Sequence, residues 1–234
     1  MKTMRSRTRA RIDAARATVE LTLRQRCFYL FLALLVVLMS VPFLEGTPRG
    51  RIALNLINLG VLLAAAAAIG RGAGALVISL LLAASAGSLQ VIGLLMEMPE
   101  VLVAAQVFAA GFYFVTVGYL FTYAMRREVL TMDKLYGAAA VFLMLGVLWG
   151  YFYTILLFFH PGALAINGQP MASAPPSTML FFSFVTLTST GMSDVLPVHP
   201  LARMLCVFEM VSGVLFIAVL IARLAGTYPP DKRG

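Results

Sequence analysis

Charged side chains are scarce in this sequence. Of its 234 residues, 12% are Asp, Glu, Lys or Arg and 61% are apolar, where a soluble domain is about a quarter charged and about half apolar. The deficit excludes a water-soluble fold with a polar coat, and the apolar excess excludes a disordered chain. Residues that hold metals or attack substrates are also few. There are two histidines, His160 and His199, and two cysteines, Cys27 and Cys206, far apart and both within apolar runs. Such thiols pack as small apolar residues and imply neither a disulfide nor a metal site. The sequence has no nucleophile motif and no phosphate-binding loop, so no enzymatic activity is expected. It also lacks an internal repeat of the kind that marks transporters built from two related halves.

The apolar excess is gathered into six long runs, roughly Cys27–Leu44, Ile52–Gly70, Ala75–Met96, Val101–Met125, Leu135–Phe159 and Leu201–Gly226. Each is long enough to cross ~30 Å of hydrocarbon as a helix rising ~1.5 Å per residue. Lipid offers the backbone no hydrogen bonds, so a span is a helix or part of a closed barrel. These runs are too continuous for the alternation of barrel strands. The expected fold class is an all-α membrane protein with six transmembrane helices. The first run is rather long for a signal peptide, lacks a small-residue cleavage pattern and precedes five more runs, so it is expected to be a span.

Lys and Arg orient the spans. The net charge is +8, and eight of the 18 basic residues lie in the first 26. With the N-terminus inside, the inner segments also hold Arg71, Arg126, Arg127, Lys134, Lys232 and Arg233. The outer segments hold Arg49 and Arg51, then Glu97 and Glu100, then a stretch from His160 to Pro200 without Lys or Arg. Arg49 and Arg51 run against this orientation and the remainder favours it. Both termini are therefore expected in the cytoplasm, beneath a plasma membrane of the bacterial inner-membrane type. The arm from Arg7 to Arg26 sets Ile12, Ala15, Val19 and Leu23 at helical spacing among basic residues. That pattern suits a helix lying on anionic lipid, with a solvated positive tail as the alternative; nucleic acid is not an expected partner.

The segment after Pro175 differs from the rest. Pro175-Pro176 leads into Ser177, a good helix N-cap. Thr178–Thr188 is mostly apolar but about three turns long, too short to cross a bilayer. The polar hexapeptide Ser189-Thr190-Gly191-Met192-Ser193-Asp194 follows, and Pro197, His199 and Pro200 restart a helix that becomes the final span. A half-length helix, a polar stretch and a return to the same face form a re-entrant loop. Such backbone survives at membrane depth only when it is buried in protein or lines water. A half-helix entering from outside leaves about half a negative charge near mid-membrane, and carbonyls of the polar stretch can replace water around a cation. One chain supplies one such loop, so a ring around an axis requires a symmetric homo-oligomer.

In these features the chain resembles the potassium-channel pore family, whose outer helix, pore helix, filter and inner helix assemble as a tetramer. The family string T-x-T-T-V-G-Y-G-D is similar to Thr186-Leu187-Thr188-Ser189-Thr190-Gly191-Met192-Ser193-Asp194. The flanks Phe182-Ser183-Phe184-Val185 and Pro197–Arg203, and the ending Ala218–Leu224, resemble it too, so the likeness spans about Tyr136–Gly226. It implies a homotetramer in which Thr188, Ser189, Thr190, Gly191, Met192 and Ser193 form the filter and Asp194 stands at the outer mouth. Bound K⁺ or Na⁺ is expected there, with Ser189 and Thr190 as ligands of the monovalent cation, and no cofactor. By the same likeness Gly213 is the inner-helix glycine, a gating hinge or a packing residue. If it marks a bend, Val214, Ile217 and Ile221 line the inner cavity and its constriction. Glu209 is an ionisable group within a span and is expected to bond hydroxyls or amides behind the pore helix, bracing the filter.

The departures from the family string carry consequences. Thr190 stands for valine, Met192 for tyrosine and Ser193 for the second glycine. Ser193 resists a positive φ by about 1 kcal/mol. Met192 is expected to face Phe182 through a sulfur–aromatic contact where the family makes a hydrogen bond. The Thr190 hydroxyl is either a ligand or a hydrogen bond behind the filter. Fewer ordered sites and a reduced preference for K⁺ over Na⁺ are expected. Val101–Met125 has no Arg or Lys, and a voltage sensor draws ~2.3 kcal/mol per charge per 100 mV, so little intrinsic voltage dependence is expected.

At the outer mouth Asp194 and Arg203 are expected to pair, and His199 to cap a helix or to titrate. Trp149, Tyr151 and Tyr153 read as packing and interface anchors, and Asn55 and Asn58 as interhelical hydrogen-bonding residues. The loop from His160 to Ser177 reads as a turret. The chain divides into a basic arm (1–26), a four-helix transmembrane domain (27–134), a pore domain (135–226) and a cytoplasmic tail (227–234). The function expected is a tetrameric cation channel; the alternative is a transporter or a non-conducting membrane protein on the same scaffold.

Overall fold

The computed structural model describes residues 26–69, 73–96, 98–125 and 131–226. The basic arm before Arg26, the loop residues Arg71, Glu97, Arg126 and Arg127, and the tail at 227–234 lie outside the described residues. Among those described, the long helices are α1 Arg26–Leu44, α2 Pro48–Ile69, α3 Ala73–Met96, α4 Pro99–Ala124, α5 Met132–Phe159 and, at the end, α7 Pro200–Gly226. Between the last two lie β1 Leu164–Ile166, β2 Gln169–Pro170, the half-length helix α6 Pro176–Leu187 and β3 Val195–Pro197. Among the described residues, five helices are long and apolar enough to cross a membrane. The fold is that of an α-helical membrane protein, with a small three-stranded sheet that the all-α expectation did not include.

Local chemistry starts these helices. Thr47 precedes Pro48 and accepts the Gly50 N–H at 3.0 Å, so a hydroxyl cap and a proline at the first helical position open α2 together. Thr131 caps α5 by accepting from the Lys134 N–H. The sheet grows from Asn167-Gly168, whose φ values of +49° and +78° fit the two-residue turn that Asn-Gly favours in hairpins. It joins β1 to β2, and β3 pairs antiparallel on the other edge of β1, Ile166 opposite Val195.

Contacts at the helix ends fix how the bundle alternates. At one end Asp133 of α5 accepts the Cys27 N–H of α1 at 3.0 Å, and the Arg223 guanidinium of α7 donates to the Ala124 carbonyl that closes α4. At the other end Glu45, just past α1, meets Ser177 of α6, and His160 after α5 stacks on His199 before α7 at 5.0 Å. So α1 and α5 run together, with α4 and α7 opposed to them. Small residues let these backbones approach, as expected where lipid gives apolar side chains no drive to associate. Gly137 of α5 lies beside the Cys27 thiol, and Gly111 of α4 beside Leu82 of α3. The main core gathers Leu30 and Leu34, Phe112, Tyr113 and Met144. A second core beneath the sheet joins Tyr153, Leu157, Leu164, Met179, Val195 and Cys206.

Candidate functional site

The half-helix α6 is seated between α5 and α7 at positions where a side chain would obstruct it. A Cβ on Gly146 of α5 would come within 2.5 Å of the Phe184 ring, and one on Gly150 within 3.4 Å of Leu180. On the opposite side, a Cβ on Gly213 of α7 would lie 2.0 Å from the Leu187 carbonyl oxygen. Gly213 sits inside the uninterrupted helix α7, with the last residue of α6 against its backbone. In this structure Gly213 packs against the end of α6.

A buried polar network ties the same three helices. The Tyr153 hydroxyl of α5 donates to Glu209 Oε2 of α7 at 2.5 Å. Ser183 Oγ of α6 lies 2.6 Å from Glu209 Oε1 and 2.7 Å from the Gly146 carbonyl. Glu209 and Ser183 are fully buried. Ser183 has one proton for two acceptors. Both contacts become hydrogen bonds when the Glu209 carboxyl carries a proton, gives it to Ser183, and Ser183 gives its own to Gly146. Phe182 adjoins the network, packed edge-on against Tyr153 at 4.8 Å.

Both ends of α6 are finished by hydrogen bonds. At its start Pro175 occupies the cap position without a side-chain bond. Ser177, expected as the cap, is instead the second helical residue, and its N–H goes to Glu45 Oε2 at 2.9 Å while its hydroxyl meets Glu45 Oε1. At its end the Thr190 N–H reaches the Val185 carbonyl at 3.0 Å and the Ser189 N–H reaches Thr186 at 2.9 Å. With Ser189 at φ +56°, this is a Schellman turn in which serine stands where glycine is usual. The left-handed strain expected at Ser193 falls on Ser189. Gly191 takes φ +70°, and among the described non-glycine residues Asn167 and Ser189 are the ones with positive φ.

The remaining side chains of segment 188–194 sort by what they bond. Thr188 Oγ1 donates to the Phe184 carbonyl at 2.6 Å, and Thr190 Oγ1 to Val185 at 3.3 Å. Of the two alternatives for Thr190, a hydrogen bond to α6 is present. Ser193 Oγ accepts the Val195 N–H at 3.1 Å, where the segment enters β3. The Asp194 carbonyl accepts from the Asn167 N–H at 3.4 Å. Residues 188–192 between these anchors are exposed. Met192 does not face Phe182. It is 78% exposed while Phe182 is 3% exposed, and it lines an open groove of about 440 Å³ with Ser177, Thr178, Phe181 and Asp194. Adjacent residues point about 100° apart around a helix, so Phe182 turns inward and Phe181 outward.

Elsewhere, Arg203 donates to the Pro197 carbonyl at 3.3 Å, and no ion pair with Asp194 forms among the described residues. His199 Nδ1 accepts the Leu201 N–H at 3.2 Å, the capping role of its two alternatives. Asn58 accepts from the Tyr113 hydroxyl at 3.1 Å, linking α2 to α4; the Asn55 side chain lies outside the described residues. Val214, Ile217 and Ile221 are exposed on α7, away from its buried stripe of Ala202, Cys206, Glu209, Gly213 and Phe216. Sequence reasoning missed Glu45 and Gly146 as partners of α6 and Asp133 as a partner of α1, and took Tyr153 for a packing residue. Nothing local marks them, because each acts on a residue far along the chain.

Comparison with curated proteins and with solved structures gives no match. Residues 141–228 match the family model described as "Ion channel". This interval holds most of α5, the three-stranded sheet, the half-helix, segment 188–194 and α7. Over these residues the carboxy-terminal part of the chain is thus similar to ion channels.

Proposed function

We propose that four copies of this chain form a channel for monovalent cations, with segments 188–194 converging on a common axis. The observation that carries this reading is a half-length helix that ends in an exposed polar segment anchored at both sides. The C-terminus of α6 directs partial negative charge toward a cation. Backbone carbonyls of Thr188, Ser189, Thr190, Gly191, Met192 and Ser193, with the Ser189 hydroxyl, are the oxygens offered to K⁺ or Na⁺. The Thr188 and Thr190 hydroxyls direct their protons to the pore helix, which leaves lone pairs for an ion. Asp194 adds formal charge at the mouth. Phe182 and Glu209 hold the filter in place through Tyr153 and Ser183. Val214, Ile217 and Ile221 line an inner cavity whose apolar constriction closes by dewetting.

Selectivity is reduced in this reading. Ser193 keeps an ordinary φ where the family has glycine, and Met192 makes no hydrogen bond that braces the filter. Voltage dependence is weak because the fourth span lacks Arg and Lys. Six spans place both termini in the cytoplasm of a bacterial-type plasma membrane, with the basic arm on anionic lipid. Recordings from liposomes under a K⁺/Na⁺ gradient test this. The expected reversal potential lies between zero and the K⁺ equilibrium value. Reversal at the K⁺ equilibrium value overturns the reduced selectivity, and absence of current overturns the channel.

A further inference from the structure

The first turn of α6 can be accounted for amide by amide. Pro176 has no N–H, and the N–H groups of Thr178 and Met179 both return to the Pro175 carbonyl, at 3.1 and 3.3 Å. That leaves the Ser177 N–H, which Glu45 takes at 2.9 Å while its second oxygen meets the Ser177 hydroxyl. Pro175 and Pro176 are exposed, so at this end the carboxylate is the main polar contact holding the helix. A carboxylate on two donors at a helix N-terminus is favoured both by charge-assisted hydrogen bonding and by the helix dipole. The opposite end of α1 is fixed in the same manner, by Asp133 of α5 on the Cys27 N–H, and Asp133 is itself held by the Tyr123 hydroxyl at 3.3 Å. Between these two ends α1 lies along α5, with Gly137 against Cys27.

We infer that α1 belongs mechanically to the pore module, as a strut fixed at both ends by carboxylate caps, and that Glu45 is a positioning residue for the filter. It acts through α6. Releasing the start of a 12-residue helix frees the end that carries Ser189 and Thr190 to shift. The inference rests on the pore reading for its electrical readout and on the geometry alone for the strut.

The full chain in liposomes is compared with E45A, S177A and the double variant. E45A is expected to lower unitary conductance or open probability at least fivefold while the subunit count by native mass is unchanged. The double variant should fall no further than E45A, since the Ser177 hydroxyl has then lost its carboxylate partner. Wild-type currents in E45A, or a double variant reduced by the product of the two single effects, overturn the proposal. E45Q, which keeps one acceptor and loses the charge, decides by the same readouts if E45A does not assemble. Amide hydrogen exchange over residues 176–180 is measured in parallel and needs no current. Exchange at least tenfold faster in E45A supports the strut, and unchanged exchange overturns it. A wild type without current overturns the channel reading and the filter role together, while exchange still decides the strut.

Discussion

At the scale of single residues, proton supply decides what the buried network tolerates. Glu209 is surrounded by hydroxyls, and its bonds close when it acts as both donor and acceptor. Glutamine has the same two capacities. Glu209→Gln is therefore expected to stay within about 1 kcal/mol of the wild-type stability, its amide donating to Ser183 and its carbonyl accepting from Tyr153. Glu209→Leu removes the acceptor of the buried Tyr153 hydroxyl, at about 1–3 kcal/mol, while Ser183 keeps its bond to the Gly146 carbonyl. Thermal unfolding in detergent separates the two variants; a glutamine variant as damaged as the leucine variant would contradict the proton count. Ser189 shows a different constraint. Its left-handed φ costs roughly 1 kcal/mol relative to glycine, and it stands at the first residue past the Schellman cap, where it is exposed.

At the scale of elements, three glycines decide how the half-helix sits. They are not equivalent. A methyl on Gly146 meets the far end of the Phe184 ring, which can turn away, whereas a methyl on Gly213 meets backbone at Leu187. Gly213→Ala is expected to destabilise by about 1–3 kcal/mol, the usual cost of overpacking, and Gly146→Ala by less; unfolding midpoints of the two variants check the order. The same clash means that altered gating in Gly213→Ala does not by itself establish a hinge. The turret is also an element with a task. Its Asn-Gly hairpin gives β1 a free edge, and β3 occupies that edge, which fixes the chain just beyond Asp194.

At the scale of the whole molecule, α7 buries a single stripe against its own protomer and leaves Met204, Phe208, Val211, Leu215 and Ile221 exposed. Residues 188–192 are exposed as well. A closed ring of copies would cover the filter segments and give them a common axis. Native mass measurement of the detergent-solubilised protein is expected to give four chains, and a single chain would favour the transporter alternative. The helices of the first half are joined to the pore at several points: Glu45 on the half-helix, Asp133 under α1, and Arg223 on the end of α4. Through these hydrogen bonds the end of α1 meets the half-helix, and the end of α4 meets α7.

The long apolar helices, the half-length helix and the polar segment after it were legible in the sequence. Each depends on local composition: runs long enough to span a bilayer, a run too short to do so, and prolines that start helices. The Asn-Gly pair signals a hairpin just as locally, although the loop around it reads only as a turret. The hydrogen bonds between helices were not legible. Glu45 lies 132 residues from Ser177, Asp133 lies 106 from Cys27, and Tyr153 lies 56 from Glu209. A hydrogen bond or a glycine contact between helices depends on which faces meet, and periodicity within one helix leaves that open. The sequence by itself determined that this chain builds a membrane helix bundle with a half-length helix and a polar segment after it, because lipid constrains each span separately. Only the tertiary structure decided what holds that segment, because the groups that hold it come from other helices.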